Sequence, residues 1–184
     1  MDGRLGLTMA TRLAIVAGLV MFLHASSIAV DGEEHRSTRY FGFFYGQSQL
    51  IFGSQDLRSG GGAYFGSGHP QERLRLGKYK GEFVTEGYLD LTTSKGVLGD
   101  PNNTTGSVGL LGFARYRERA LYIDVGWGLQ WVNRSTADLP SKVNSTPVFD
   151  AGLIFETAMA EWYLGARFMH ISNGNTMSSN RGQN

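Results

Sequence analysis

The chain has 184 residues, of which 26 are glycine, roughly twice the usual share, with 12% aromatic residues, 18% charged residues and no cysteine. The missing Cys excludes a disulfide framework, a thiolate zinc site, thiol redox chemistry and a Cys nucleophile. With 17 Lys and Arg against 16 Asp and Glu and no dense basic run, the chain has no electrostatic footprint for nucleic acid; little charge beside many aromatics points to one β-rich domain.

At the N-terminus, Arg4 and Arg12 precede the unbroken apolar run at 13–23 (LAIVAGLVMFL), which is too short to span a bilayer. Ala25, Ser27 and Ala29 then supply small residues at the spacing a signal peptidase reads. Residues 1–29 are therefore expected to be an export signal cleaved after Ala29, leaving 30–184 as the mature domain. That cleavage removes Arg4, Arg12 and Asp2 and makes the mature chain formally neutral. No later run approaches the roughly 20 apolar residues of a membrane helix. A β-barrel, however, crosses with strands of about 9 to 11 alternating residues that escape a hydropathy window.

The mature chain alternates in this way. The first strand is expected at 38–47, with Phe41, Phe43 and Tyr45 set against Gly42 and Gly46. Residues 48–70 are ambiguous, because Gly60, Gly61 and Gly62 break the pattern, although 63–65 offers a seed for a strand. From 81 to 91, Phe83, Leu89 and Leu91 share one face with Gly81, Thr85 and Gly87, opposite Glu82, Glu86 and Asp90. After a turn signal at Pro101, Asn102 and Asn103 comes a strand at 106–116. The clearest strand is 121–131: Leu121, Ile123, Val125, Trp127, Leu129 and Trp131 alternate with Tyr122, Asp124, Gly126, Gly128 and Gln130. A polar connection at 133–145 leads to strands at 147–155 and 161–172.

Alternation alone does not say which face points outward. The polar faces carry Gly with Asp, Glu and Gln, which suits a narrow interior, whereas Trp, Phe and Leu on the other faces suit lipid and interfacial aromatic girdles. The expected fold is thus all-β, a small antiparallel transmembrane barrel, preferred over a soluble carrier barrel.

Several motifs carry no chemistry. The Gly-rich stretch at 59–68 lacks the Gly-Lys-Ser/Thr of a phosphate loop, and Gly126-Trp127-Gly128 lacks a third Gly and a following helix. His24, His35, His69 and His170 have no paired ligand spacing, so no metal site and no cofactor are expected. The sequons at Asn103, Asn133 and Asn144 are what loops rich in Asn, Ser and Thr produce by chance.

One constellation remains: Phe168-Met169-His170-Ile171-Ser172-Asn173-Gly174, followed by Asn180-Arg181-Gly182-Gln183-Asn184. In a strand, His170 and Ser172 lie on one face roughly 6 to 7 Å apart at Cα, within reach of a base and nucleophile contact. That face also carries Trp162, Leu164, Ala166 and Phe168, opposite Tyr163 and Arg167, so a reactive Ser172 would open towards lipid.

His-x-Ser-Asn followed by Asn-x-Gly-x-Asn, at the end of a small exported Gly-rich barrel, resembles the lipid A 3-O-deacylase / acyloxyacyl hydrolase family of Gram-negative outer membranes. The resemblance implies an eight-stranded outer-membrane barrel with its active site on the outer surface and lipid A, or lipopolysaccharide, as substrate. It also implies a serine-esterase mechanism in which Ser172 attacks an acyl ester and His170 takes and returns the proton. Candidate oxyanion donors are the backbone N–H groups of Asn173 and Gly174 and the side-chain amide of Asn180. The best-known branch of the family orients the His with a Glu; the matching residue here is Asn184, whose carbonyl oxygen can hold an imidazole without adding charge.

Seven strands do not close a bacterial barrel, and an open seam leaves backbone groups unpaired in lipid. The eighth strand is expected to follow Asn184 and to be missing from this chain. The competing reading is a non-catalytic structural or adhesin-like barrel in which His170 and Ser172 are incidental.

Overall fold

The computed structural model describes residues 22–27, 38–48, 56–95, 101–136, 138–157 and 160–173. Among these described residues nine strands form: β1 (Phe22–Ser27), β2 (Thr38–Gln47), β3 (Arg58–Leu76), β4 (Tyr79–Lys95), β5 (Pro101–Glu118), β6 (Leu121–Val132), β7 (Val143–Ser145), β8 (Val148–Glu156) and β9 (Ala160–Met169). Every pairing is antiparallel. The order β5-β4-β3-β2-β1-β9-β8-β6 returns to β5 through a β5–β6 ladder, so eight strands make a ring and β7 extends it along β6. A ring of this kind pairs the backbone internally, which is the condition for strands to cross lipid.

The seam that the sequence leaves between the first and last mature strands is the β2–β9 gap. Phe22–Ser27, from the segment read as leader, fills it: Phe22 pairs with Phe44 of β2 and with Gly165 of β9. An extended segment satisfies the facing edges through its backbone, whatever its side chains.

The alternating residues fall as the patterning predicts. On β6, Leu121, Val125, Trp127, Leu129 and Trp131 point out and are exposed, while Tyr122, Asp124, Gln130 and Val132 are buried inside. β2 points Phe41, Phe43 and Tyr45 outward, and β4 does the same with Phe83, Leu89 and Leu91. An apolar outer surface this extensive matches lipid.

β3 resolves the ambiguous stretch from Arg58 onward and bears out the strand seed at 63–65. The glycine run belongs to the interior of a long strand, where Gly60, Gly61 and Gly62 pair with Gly46, Tyr45 and Phe44. A Cβ at Gly62 would meet the Phe44 ring and the Leu89 carbonyl, so the missing side chain makes room for the lumen aromatics. Gly42 and Gly66 yield in the same way to the rings of Tyr64 and Tyr40.

The lumen holds more tyrosine than a filling of small residues suggests. Tyr40, Tyr64 and Tyr88 pack with Val84, Leu111, Phe113 and Val148, and Tyr122 and Tyr163 pack with Ile154. Buried ions are threaded among them. Arg115 donates to both Asp124 carboxylate oxygens at 2.9 and 2.8 Å. Arg167 of β9 bonds Glu86 of β4 and Asp150 of β8, while Tyr40 and Tyr122 donate to Glu86 and Asp150.

The two ends of the barrel differ. One carries the tight turns Gly77-Lys78 and Arg119-Ala120, with φ of 60° at Gly77 and 52° at Arg119, as short hairpin turns require. At the other end β2 is followed by β3, β4 by β5 and β6 by β7 after longer stretches of chain.

Candidate functional site

The candidate residues lie at the long-loop end, where β9 runs out. Within β9 the odd residues Tyr163 and Arg167 are buried in the lumen and the even residues Trp162 and Phe168 are exposed. His170 and Ser172 continue the even, outward set.

The chain keeps its register past the end of β9. Val148 to Glu156 pair with Met169 to Glu161 in one register, and the bridge between Ser145 and Ser172 lies on the same diagonal, three residues further along each strand. The bridge is fully made: Ser145 N–H donates to the Ser172 carbonyl at 2.6 Å, and Ser172 N–H donates to the Ser145 carbonyl at 3.0 Å. Between them His170 N–H donates to the Pro147 carbonyl at 3.0 Å. Pro147 has no N–H to return, so the ladder loses one bond beside His170 and the regular strand stops there.

β7 is locked on its other side as well. Ser145 pairs with Leu129 and Val143 with Trp131, in the register of the β6–β8 ladder, and Gly128 and Thr146 exchange both backbone bonds at 3.0 and 2.9 Å. Ser145 therefore stands between Leu129 and Ser172 on the outward face. The two hydroxyl oxygens are 3.4 Å apart, and either can donate. His170 is half-buried, Ser172 is 8% exposed and Asn173 is 4% exposed. Around them the outer surface is apolar, with Trp127, Leu129, Trp131, Phe149 and Phe168 exposed.

The connection at 133–142 that delivers Ser145 is pinned into the barrel mouth. Asp138, fully buried, accepts the Asp56 N–H at 2.7 Å. The Asp56 carboxylate in turn accepts Arg58 Nη1 at 2.8 Å and Ser94 Oγ at 2.6 Å. Arg58 also donates to Thr105 Oγ1 and to the Asn103 carbonyl, so β3, β4 and β5 all hold this end. Leu139 is buried, and Asn144, the residue of one sequon, is buried and bonded to Ser141.

Of the residues singled out in the sequence, His170, Ser172 and Asn173 share one short segment; Gly174, Asn180 and Asn184 lie outside the described residues. Ser145 is the neighbour that sequence reasoning missed. It lies 27 residues from Ser172, and only the β8–β9 register brings the two together. Among the described residues no three His, Asp or Glu side chains cluster closely enough to hold a metal ion.

The sequence model of the lipid A 3-O-deacylase (PagL) family matches residues 61–184, more than half of the chain. The chain belongs to the lipid A 3-O-deacylase family. The matched stretch runs from within β3 to the last residue of the C-terminal motif, so in this deacylase-family barrel both sides of the Ser145–Ser172 bridge fall inside it. No curated protein and no solved structure matches the chain. Membership in the deacylase family gives the coarse chemistry, hydrolysis of an acyl ester on lipid A, and fits a barrel whose outer wall is apolar.

Proposed function

We propose that this protein is an outer-membrane serine esterase that removes the ester-linked 3-O-acyl chain of lipid A, with Ser172 as nucleophile and His170 as general base. The observation that carries the reading is the position of Ser172. By strand alternation it continues the outward set of β9 beyond Phe168, itself 8% exposed beside an apolar outer surface, in a chain of the deacylase family.

Polar residues are scarce on such a wall, and a hydroxyl paired with an imidazole two residues away has the parts of an acyl-transfer site. The longer connections of outer-membrane barrels face the exterior and the tight turns face the periplasm. That orientation sets the Ser172 end in the outer leaflet, where a lipid A ester can reach it laterally, with its acyl chains along Trp127, Leu129 and Phe149.

In the reaction Ser172 Oγ attacks the ester carbonyl while His170 accepts its proton, then returns it to the departing sugar hydroxyl. Water, deprotonated by the same imidazole, cleaves the acyl-enzyme and frees the fatty acid. The backbone N–H groups of Asn173 and Gly174 and the Asn180 amide are the proposed oxyanion donors, and Asn184 is the proposed orienting partner of His170.

The test is mass spectrometry of lipid A from cells expressing the wild type, Ser172→Ala or His170→Ala. Wild type is expected to remove one acyl chain, and each variant to lose at least about 10³-fold in rate while retaining a folded barrel. Unchanged deacylation by either variant overturns the assignment.

Export is proposed to use residues 1–29, with the mature protein starting at Val30. N-terminal sequencing of membrane-extracted protein decides this. A start at Val30 removes Phe22–Ser27 and opens the seam between β2 and β9, whereas a start at Met1 refutes cleavage and leaves that segment as a permanent strand there.

A further inference from the structure

We infer that Ser145 is a positioning residue for the nucleophile, its hydroxyl donating to Ser172 Oγ so that the Ser172 proton is directed to His170. The inference rests on the esterase reading above and extends it to a residue outside the C-terminal motif.

Three observations carry it. The first is contact: the hydroxyl oxygens of Ser145 and Ser172 are 3.4 Å apart on the same outward face. The second is rigidity, because the two residues exchange both backbone hydrogen bonds and Ser145 is also paired with Leu129 on β6. Its hydroxyl is therefore carried by a strand braced on two sides. The third is the break at Pro147: the partner of His170 returns no N–H, so the base lies where the ladder is weakest while the nucleophile, two residues on, lies where it is restored. The Ser145 pairing is what fixes the Ser172 backbone at that point.

Chemistry sets the direction of the hydroxyl contact. A Ser172 hydroxyl that donates to Ser145 turns its proton away from the imidazole and cannot be deprotonated by it. In the reactive arrangement Ser145 is therefore the donor and Ser172 Oγ the acceptor, with the Ser172 proton left for His170. Negative charge accumulates on Ser172 Oγ as that proton departs, and again when this oxygen leaves the acyl-enzyme. A hydroxyl donor at Ser145 is strengthened at both moments. No bond to Ser145 forms or breaks.

The experiment compares purified wild type, Ser145→Ala, Ser145→Thr and Ser172→Ala in mixed micelles of lipid A and detergent, with rates normalised to folded barrel by heat-shifted mobility on gels. Ser145→Ala is expected to lower kcat about tenfold, the worth of one hydrogen bond, with KM unchanged. Ser145→Thr, which keeps the hydroxyl, is expected to restore most of that loss. Wild-type kcat in folded Ser145→Ala overturns the inference, as does a threonine variant impaired as much as the alanine variant. Because Ser172→Ala is measured alongside, the two failures separate. Full activity in Ser172→Ala removes the esterase assignment itself, whereas an inactive Ser172→Ala beside a fully active Ser145→Ala removes only the role given to Ser145.

Discussion

The lumen and the outer wall beside Ser172 both contain polar side chains in a protein built to lie in lipid, and they handle them in opposite ways. In the lumen, Arg115, Arg167, Glu86, Asp124 and Asp150 are all buried or nearly so, each with a charged partner and most with a tyrosine hydroxyl or ring beside them. On the outer wall, among the described residues, Ser145, Ser172 and the His170 ring are set among Trp127, Leu129 and Phe149. A closed ion network has no free capacity for a substrate, and its removal is felt as lost stability. A short polar row on an apolar outer wall contributes little to holding strands together, so under the proposed esterase assignment its removal is expected to be felt as lost chemistry.

The sharpest way to break that contrast is Arg167→Met. Arg167 joins β9 to Glu86 across the lumen and to Asp150 on the neighbouring strand. Its loss leaves two buried carboxylates without their cation, at a cost of about 3 to 5 kcal/mol. Urea unfolding of the protein in detergent or vesicles should show a drop of that order, and Glu86→Gln in the same chain should recover part of it. Deacylation per folded barrel should stay near wild type, because Arg167 points to the lumen and Ser172 outward. A stable Arg167→Met barrel with impaired deacylation would reverse the assignment of the two regions.

Much of this division is legible in the sequence, for a physical reason. Period-2 patterning is a local signal, so β2 is expected at 38–47, where it forms, and the odd residues of β6 are read as one face before any pairing is known. What patterning cannot supply is register. Glu86 and Arg167 are 81 residues apart, and each reads only as a charge on an inward face until the ring brings β4 and β9 to opposite sides of one lumen. The glycine run in β3 misleads for a related reason. A strand is recognised by its side chains, and Gly62 serves by having none where Phe44 needs the space. At the site the same rule holds: His170 and Ser172 are legible because they are two residues apart, whereas Ser145 stays hidden among polar connection residues until the β8–β9 register is known.

A smaller effect is expected where the two regions meet, at Asp138. This residue belongs to the buried mouth, accepting the Asp56 N–H, yet the connection that carries it, at 133–142, leads directly into β7 and Ser145. If the mouth only closes the barrel, Asp138→Ala should behave as a lumen substitution and leave catalysis per folded molecule alone. If the mouth also braces the outer wall, the same change should do two things. It leaves a buried Asp56 N–H without its acceptor, at about 1 to 3 kcal/mol in urea unfolding. It also slackens the support of β7, lowering deacylation per folded barrel severalfold, with faster proteolytic cleavage within 133–142 as an independent sign. The structure favours the second outcome, because Val132 N–H bonds the Lys142 carbonyl at 2.8 Å and closes the loop immediately before β7. Asp138→Asn, which keeps a carbonyl acceptor for the Asp56 N–H, should recover most of both losses. Failure of Asn to rescue while Ala is impaired would mean that the charge of Asp138, beside the Asp56–Arg58 pair, matters more than its hydrogen bond.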